Sequence, residues 1–184
     1  MPLRIGDLDF SFENSLVKIV ANKNQPETKL AGLTVGPFEE GNEYEVYYWV
    51  AERLADAGIV HFREECCLSA SDLYKVQWKE RVQVAGQIAE LPEDFYPKLR
   101  RYLAQLKKEL TAQPEKVHEY EKAKQLAGDI INSRLRKIVA LSSGPSQADQ
   151  LVKKMTNEER LIYEQLGKII SNWRTRIQEY EGEE

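Results

Sequence analysis

The sequence predicts a mainly α protein that carries a small α/β module at its front. Three observations carry that prediction. Apolar residues come in short runs before residue 65 and at helical spacing after residue 68. Turn residues punctuate the front closely, whereas Pro92, Pro114 and Ser142-Ser143-Gly144-Pro145 divide the back into long segments. Charge divides at the same place: residues 1–65 hold 6 basic and 12 acidic side chains, net −6, and residues 66–184 hold 20 and 18, net +2. With 184 residues, 42% apolar and 30% charged, the chain can bury a core, and the composition excludes wholesale disorder.

In the front, Leu16-Val17 and Ile19-Val20-Ala21 read as strand. So do Leu30-Ala31 and Leu33, beyond the turn Asn22-Lys23-Asn24-Gln25-Pro26-Glu27. A second turn spans Gly36 to Asn42, and Tyr44 and Val46 fit a brief strand. Trp49, Val50, Leu54 and Ala57 repeat at helical spacing, with Gly58 placed as a left-handed stop. Ile59-Val60-His61-Phe62 is one more strand.

In the back, Ser69 or Ser71 caps a predicted helix carrying Leu73, Val76, Val82 and Ile88. Pro92 restarts the chain, and Glu93-Asp94 are expected in the first turn of the next helix, where acids complement the dipole. That helix shows Phe95, Leu99, Tyr102, Leu103, Leu106 and Leu110, one apolar stripe. Past Pro114 a third stripe runs through Tyr120, Ala123, Ala127, Ile130, Ile131, Leu135 and Ile138. Thr156-Asn157-Glu158-Glu159 is a capping box, and the last helix carries Ile162, Leu166, Ile169, Ile170, Trp173, Ile177 and Tyr180. The expected division is a small α/β domain at 1–65, a helical domain at 69–180 and a frayed tail at 181–184.

Catalytic constellations do not emerge. The glycines form no phosphate loop, and no nucleophile elbow, two-histidine metal helix or calcium loop is visible. Cys66 and Cys67 are adjacent and read as free thiols in a reducing cytosol; a vicinal redox switch is the rival reading. The pairs Glu93-Asp94 and Glu158-Glu159 read as caps and dipole complements, and His61 as structural or surface. No cofactor or metal is expected. No apolar run approaches the roughly 20 residues of a membrane span, and Met1 to Asp7 shows no apolar signal region, so no membrane role is expected. Lys98, Arg100, Arg101, Lys107 and Lys108 read as a solvated helix face. Their alternative use is nucleic-acid binding by a stand-alone helical protein, which the overall acidity disfavours.

Two stretches resemble a known family. Leu91-Pro92-Glu93-Asp94-Phe95-Tyr96, then Arg134-Leu135-Arg136-Lys137-Ile138, then Thr156-Asn157-Glu158-Glu159 follow the order of motifs in the helical A domain of archaeal GINS replication proteins. Gly36-Pro37-Phe38, with the helix opening at Trp49-Val50-Ala51, resembles the small B domain of the same family. Small domain first resembles the two-three type, counterpart of Psf-two and Psf-three. Tyr47 departs from the pattern, which often has proline there.

The resemblance implies an N-terminal β-rich B domain followed by a helical-bundle A domain, in a non-catalytic subunit of a chromosome-associated cytoplasmic complex. Its implied partners are the opposite-order GINS subunit, in a 2:2 heterotetramer, the MCM helicase, a RecJ-like protein and, in some lineages, primase. Direct DNA contact is left open. The residues expected at a partner interface are Phe95, Tyr96, Tyr102, Arg134, Arg136, Tyr163, Leu166, Ile170, Trp173 and Ile177. Of Arg134, Arg136 and Lys137, at least one arginine is expected to hold carboxylates or helix-end carbonyls in the body of the assembly, because the guanidinium fork suits buried pairing.

Overall fold

A computed structural model describes residues 4–82, 87–144 and 149–179. The fold is mainly α with a small sheet module at the N-terminal end, followed by a helical bundle. Two compact units are present, Ile5–Leu68 and a second built from Ser69 onward.

The first unit opens with helix α1, Ile5–Glu13, which the sequence reading did not foresee. Only Phe12 of this helix is buried, its ring 4.7 Å from that of Tyr48. So little apolar periodicity explains why it escaped notice. Strand β1, Leu16–Ala21, is central to a three-stranded antiparallel sheet of order β4-β1-β5, with β4 Glu43–Tyr47 and β5 Val60–Phe62. The turn after β1 does not return the chain onto it; β2, Thr28–Leu30, pairs instead with β3, Leu33–Val35. Helix α2, Tyr48–Asp56, covers the sheet and ends at Gly58, whose φ of 67° is the left-handed conformation glycine adopts freely. Ile19, Ala21, Phe38, Val50, Ala51, Leu54 and Val60 form the core of this unit.

The second unit begins with α3, Ala70–Val82. Ser69 caps it: its hydroxyl accepts from the Asp72 amide at 3.3 Å, and the Asp72 carboxylate accepts from the Ser69 amide at 3.2 Å. Ile88, predicted within this helix, lies outside it yet is fully buried. The reason is local. The Ala89 amide donates to Glu80, and the Ala89 carbonyl accepts from Arg134, so side chains bind this stretch of backbone. Helix α4 spans Phe95–Ala112. Glu93 and Asp94 precede it rather than filling its first turn. The Pro92 carbonyl accepts from the Phe95 amide, and Asp94 stands at φ 54° in the tight turn between.

A 3₁₀ turn, Pro114–Lys116, leads into α5, Val117–Ser143. Its buried line is Ala123, Ala127, Ile130, Arg134 and Ile138, whereas Ile131 and Leu135 of the predicted stripe are each 41% exposed. The short α6, Asp149–Val152, precedes α7, Asn157–Gln178. The Thr156 capping box forms as predicted, with both reciprocal hydrogen bonds. Tyr180, the 181–184 tail and Pro145 lie outside the described residues.

Candidate functional site

The motif residues of the second unit meet at a buried cluster of charges. Arg134, on α5, is fully buried. Its Nε and Nη2 donate to the two carboxylate oxygens of Glu159 at 2.7 and 2.5 Å, a bidentate fork. Its Nη1 donates to Glu80 at 2.7 Å and to the Ala89 carbonyl. Lys137, one turn on, donates from Nζ to the other Glu80 oxygen at 2.6 Å and to the Glu80 carbonyl at 3.1 Å. The Tyr96 hydroxyl donates to Glu159 at 2.7 Å. Two carboxylates therefore face two cations, and no buried side-chain nitrogen or oxygen among the described residues lacks a partner.

Each group is positioned by its helix. The capping box places Glu159 at the third residue of α7, where the same carboxylate also accepts from the Thr156 amide at 3.1 Å. Residues 134, 137 and 138 share one face of α5, so Arg134 and Lys137 point inward with Ile138. Arg136 points out, its Nε donating to the Asn132 carbonyl at 3.2 Å. Burial works against the Arg134 charge, but the hydrogen bonds and charges of Glu159 and Glu80 outweigh it and hold the guanidinium above its ordinary range. Burial, followed by the Glu159 charge that accepts its proton, pushes the Tyr96 phenol far above its usual 10.0. Among the described residues every buried polar side-chain atom of the cluster is partnered, so it holds no unpaired base. It ties α3, the segment at Ala89, α4 and α7 to α5. Taking one partner from such a buried pair typically costs about 3–5 kcal/mol.

The surface carries a second feature. Along α7, Ile162, Leu166, Ile169, Trp173 and Ile177 follow at steps of 4, 3, 4 and 4 residues, one continuous stripe. Its first part is half-buried beside the cluster of Ile88, Ile138 and Met155, which Tyr163 also joins. Its second part is bare: Ile169, Trp173 and Ile177 are 63, 62 and 65% exposed. Every described residue from 171 onward is exposed. Helix α5 ends at Ser143, whose carbonyl accepts from Arg174 at 2.8 Å. The stripe therefore continues where its covering helix has stopped.

Of the ten residues expected at a partner interface, Trp173 and Ile177 are exposed apolar groups on this bare stripe, with Leu166 and Ile170 half-buried at its inner end. Tyr102 and Tyr163 are half-buried. Phe95 and Arg134 lie inside the chain's own core, and Tyr96 is tied to Glu159, so these three serve the bundle's interior. Val82, expected on one stripe with the buried Leu73 and Val76, is 61% exposed. Sequence reasoning missed Glu80 as a buried ion and missed Tyr74 and Trp78, 41 and 66% exposed, which form a second stripe on α3 with Val82. Their spacing of four was the available signal.

The remaining chemistry is sparse. Among the described residues no group of three His, Cys, Asp or Glu could hold a metal, and no helix is long and apolar enough to cross a membrane. Neither Cys66 nor Cys67 is in a disulfide. His61 sits on an exposed strand position with Nδ1 2.5 Å from the Asn22 side-chain oxygen. In the basic set on α4, Arg101 donates to the Pro97 carbonyl, and Lys107 and Lys108 are exposed.

Compared with protein families, residues 67–178 match the GINS complex protein helical bundle domain, and residues 4–59 match the PSF2 N-terminal domain. No curated protein matches the chain.

Proposed function

The chain belongs to the GINS family as a Psf2-like subunit of a DNA replication complex, and from that membership we propose that it is the small-domain-first subunit of an archaeal assembly. Its partners are other GINS subunits. In the reading offered here it joins the opposite-order subunit in a 2:2 heterotetramer. That tetramer, with a RecJ-like protein, scaffolds and activates the MCM helicase, and in some lineages it contacts primase. The chain acts as scaffold rather than catalyst, working at the chromosome in the cytoplasm. In the same reading the small α/β domain at 1–65 is a peripheral or interface-supporting domain, and the helical domain at 69–180 is the body of the tetramer.

The single observation that supports this reading is the uncovered half of the α7 stripe. A bare Ile-Trp-Ile row on a helix outer turn exposes apolar area that a partner helix would remove from water. Stable interfaces bury about 1,200–2,000 Å² in total, and a large aromatic at their centre contributes a disproportionate share. Size exclusion with light scattering tests the reading, on the chain alone and mixed with the opposite-order subunit. A 2:2 complex is expected. A clean 21.3 kDa monomer that the partner leaves unchanged would overturn it. The assembled complex is expected to stimulate DNA unwinding by the helicase, and no stimulation would remove the activating role.

A further inference from the structure

The first unit has an unused edge. Strand β4 lies at the outside of the β4-β1-β5 sheet. Its register with β1 pairs Tyr44 with Ile19 and Val46 with Val17. The flanking ladder bonds, Ala21 amide to Asn42 carbonyl and Tyr48 amide to Ser15 carbonyl, set which pairs are hydrogen-bonded. By antiparallel alternation, the pairs at Tyr44 and Val46 bond to β1, and Glu43, Glu45 and Tyr47 turn their amides outward. Among the described residues, nothing accepts from those three amides. A free edge of this kind is a template for another strand.

Beside the edge lies a groove of about 350 Å³, lined by Leu33, Val35 and Pro37 together with Tyr44, Val46 and Tyr47. Side chains alternate along β4. Tyr44 and Val46 share the core face with Ile19 and Val17, while Glu43, which accepts from Arg63 at 3.2 Å, and Glu45, opposite Lys18 of β1, are exposed on the other face. A strand laid along β4 would alternate likewise, apolar residues toward the groove and the others beside the glutamates. The unit from Ile5 to Leu68 holds 12 acidic and 5 basic side chains, net −7. A second copy of β4 would set glutamate against glutamate, which is unfavourable across a ladder. Basic residues are the matching choice.

We propose that the outer edge of β4 and its groove dock an extended partner segment in which apolar and basic residues alternate, taken by strand addition. Main-chain bonds to Glu43, Glu45 and Tyr47 supply the grip, the groove selects the apolar side chains, and the net negative charge of the unit favours the basic ones.

A fluorescent eight-residue peptide alternating lysine and valine is the probe, read by anisotropy against the full chain. Saturable binding is expected, weakened about tenfold or more when Glu45→Lys reverses one charge on the outer face. N-methylation of one alternate set of peptide amides is expected to abolish binding, and of the other set to spare it, because an added strand bonds through one edge only. Trp173→Ala is expected to bind the peptide normally, which separates this site from the α7 interface. Absence of binding, equal loss from both methylated sets, or indifference to Glu45→Lys in a variant of unchanged circular dichroism would each overturn the proposal.

Discussion

The two halves of α7 carry the same apolar spacing and meet opposite fates. From Thr156 to Leu166 the helix lies against its own chain, with Glu159 1% exposed and bonded to Arg134 and Tyr96. From Ile169 onward the stripe faces solvent. A helical period shows that a face is apolar; it does not show whether the cover belongs to the same chain. The contrast separates residues that hold the subunit together from residues left for a partner.

The comparison breaks hardest at its inner half. Arg134→Ala leaves Glu80 and Glu159 buried without their shared cation, and is expected to cost about 3–5 kcal/mol in urea unfolding of the isolated chain. A loss under about 1 kcal/mol would show that the cluster is not what fastens α7 to the bundle.

At the outer half, Trp173→Ala should leave helix content and the thermal midpoint of the isolated chain unchanged, since the ring is 62% exposed. Affinity for the partner subunit is expected to fall about 30-fold or more, measured by titration calorimetry. A steep drop in the midpoint would place Trp173 in the core and erase the distinction between the halves.

A finer probe is Tyr96→Phe, which removes the hydroxyl donated to Glu159 and is expected to cost about 1.5–3 kcal/mol. Because folding raises this phenol above 10.0, its contribution is complete below pH 10 and is lost as pH rises through the folded value. Alkaline titration of stability should therefore be shallower above pH 10 in the variant than in the parent. Identical slopes would remove Tyr96 from the cluster's energetics.

The smallest effect is expected at the helix start. Thr156→Ala deletes the acceptor for the Glu159 amide and should cost about 1 kcal/mol. A cost near that of Arg134→Ala would mean that the cap, not the ion pair, sets the position of Glu159.

The reading of Glu158-Glu159 as a cap was correct and incomplete. Thr156 and Glu159 stand three residues apart, so their reciprocal bonds are legible in one turn of sequence. The bond to Arg134 spans 25 residues and that from Arg134 to Glu80 spans 54, and nothing local announces either. The other acid pair, Glu93-Asp94, shows the converse error. The same letters before an apolar stripe occupy a turn outside α4, because the Pro92 carbonyl engages Phe95. At the surface, Trp173 and Ile177 lie on the apolar stripe of α7 and are exposed. Phe95 also lies on an apolar stripe and is enclosed, because α4 lays its first turn into the bundle.

What the sequence determined by itself was local: the strands at Leu16–Ala21 and Val60–Phe62, the long helices of the second unit, the Gly58 stop, the Thr156 cap and the change from short runs to helical period near residue 68. These follow from dihedral preference, capping chemistry and side-chain period, which act within a few residues. Only the tertiary structure decided the order β4-β1-β5, the meeting of Glu80, Arg134, Lys137 and Glu159, and the point along α7 where cover ends. Those depend on which distant segments exclude water from one another, and burial of a charge is stable only where its counter-charge arrives from elsewhere in the chain.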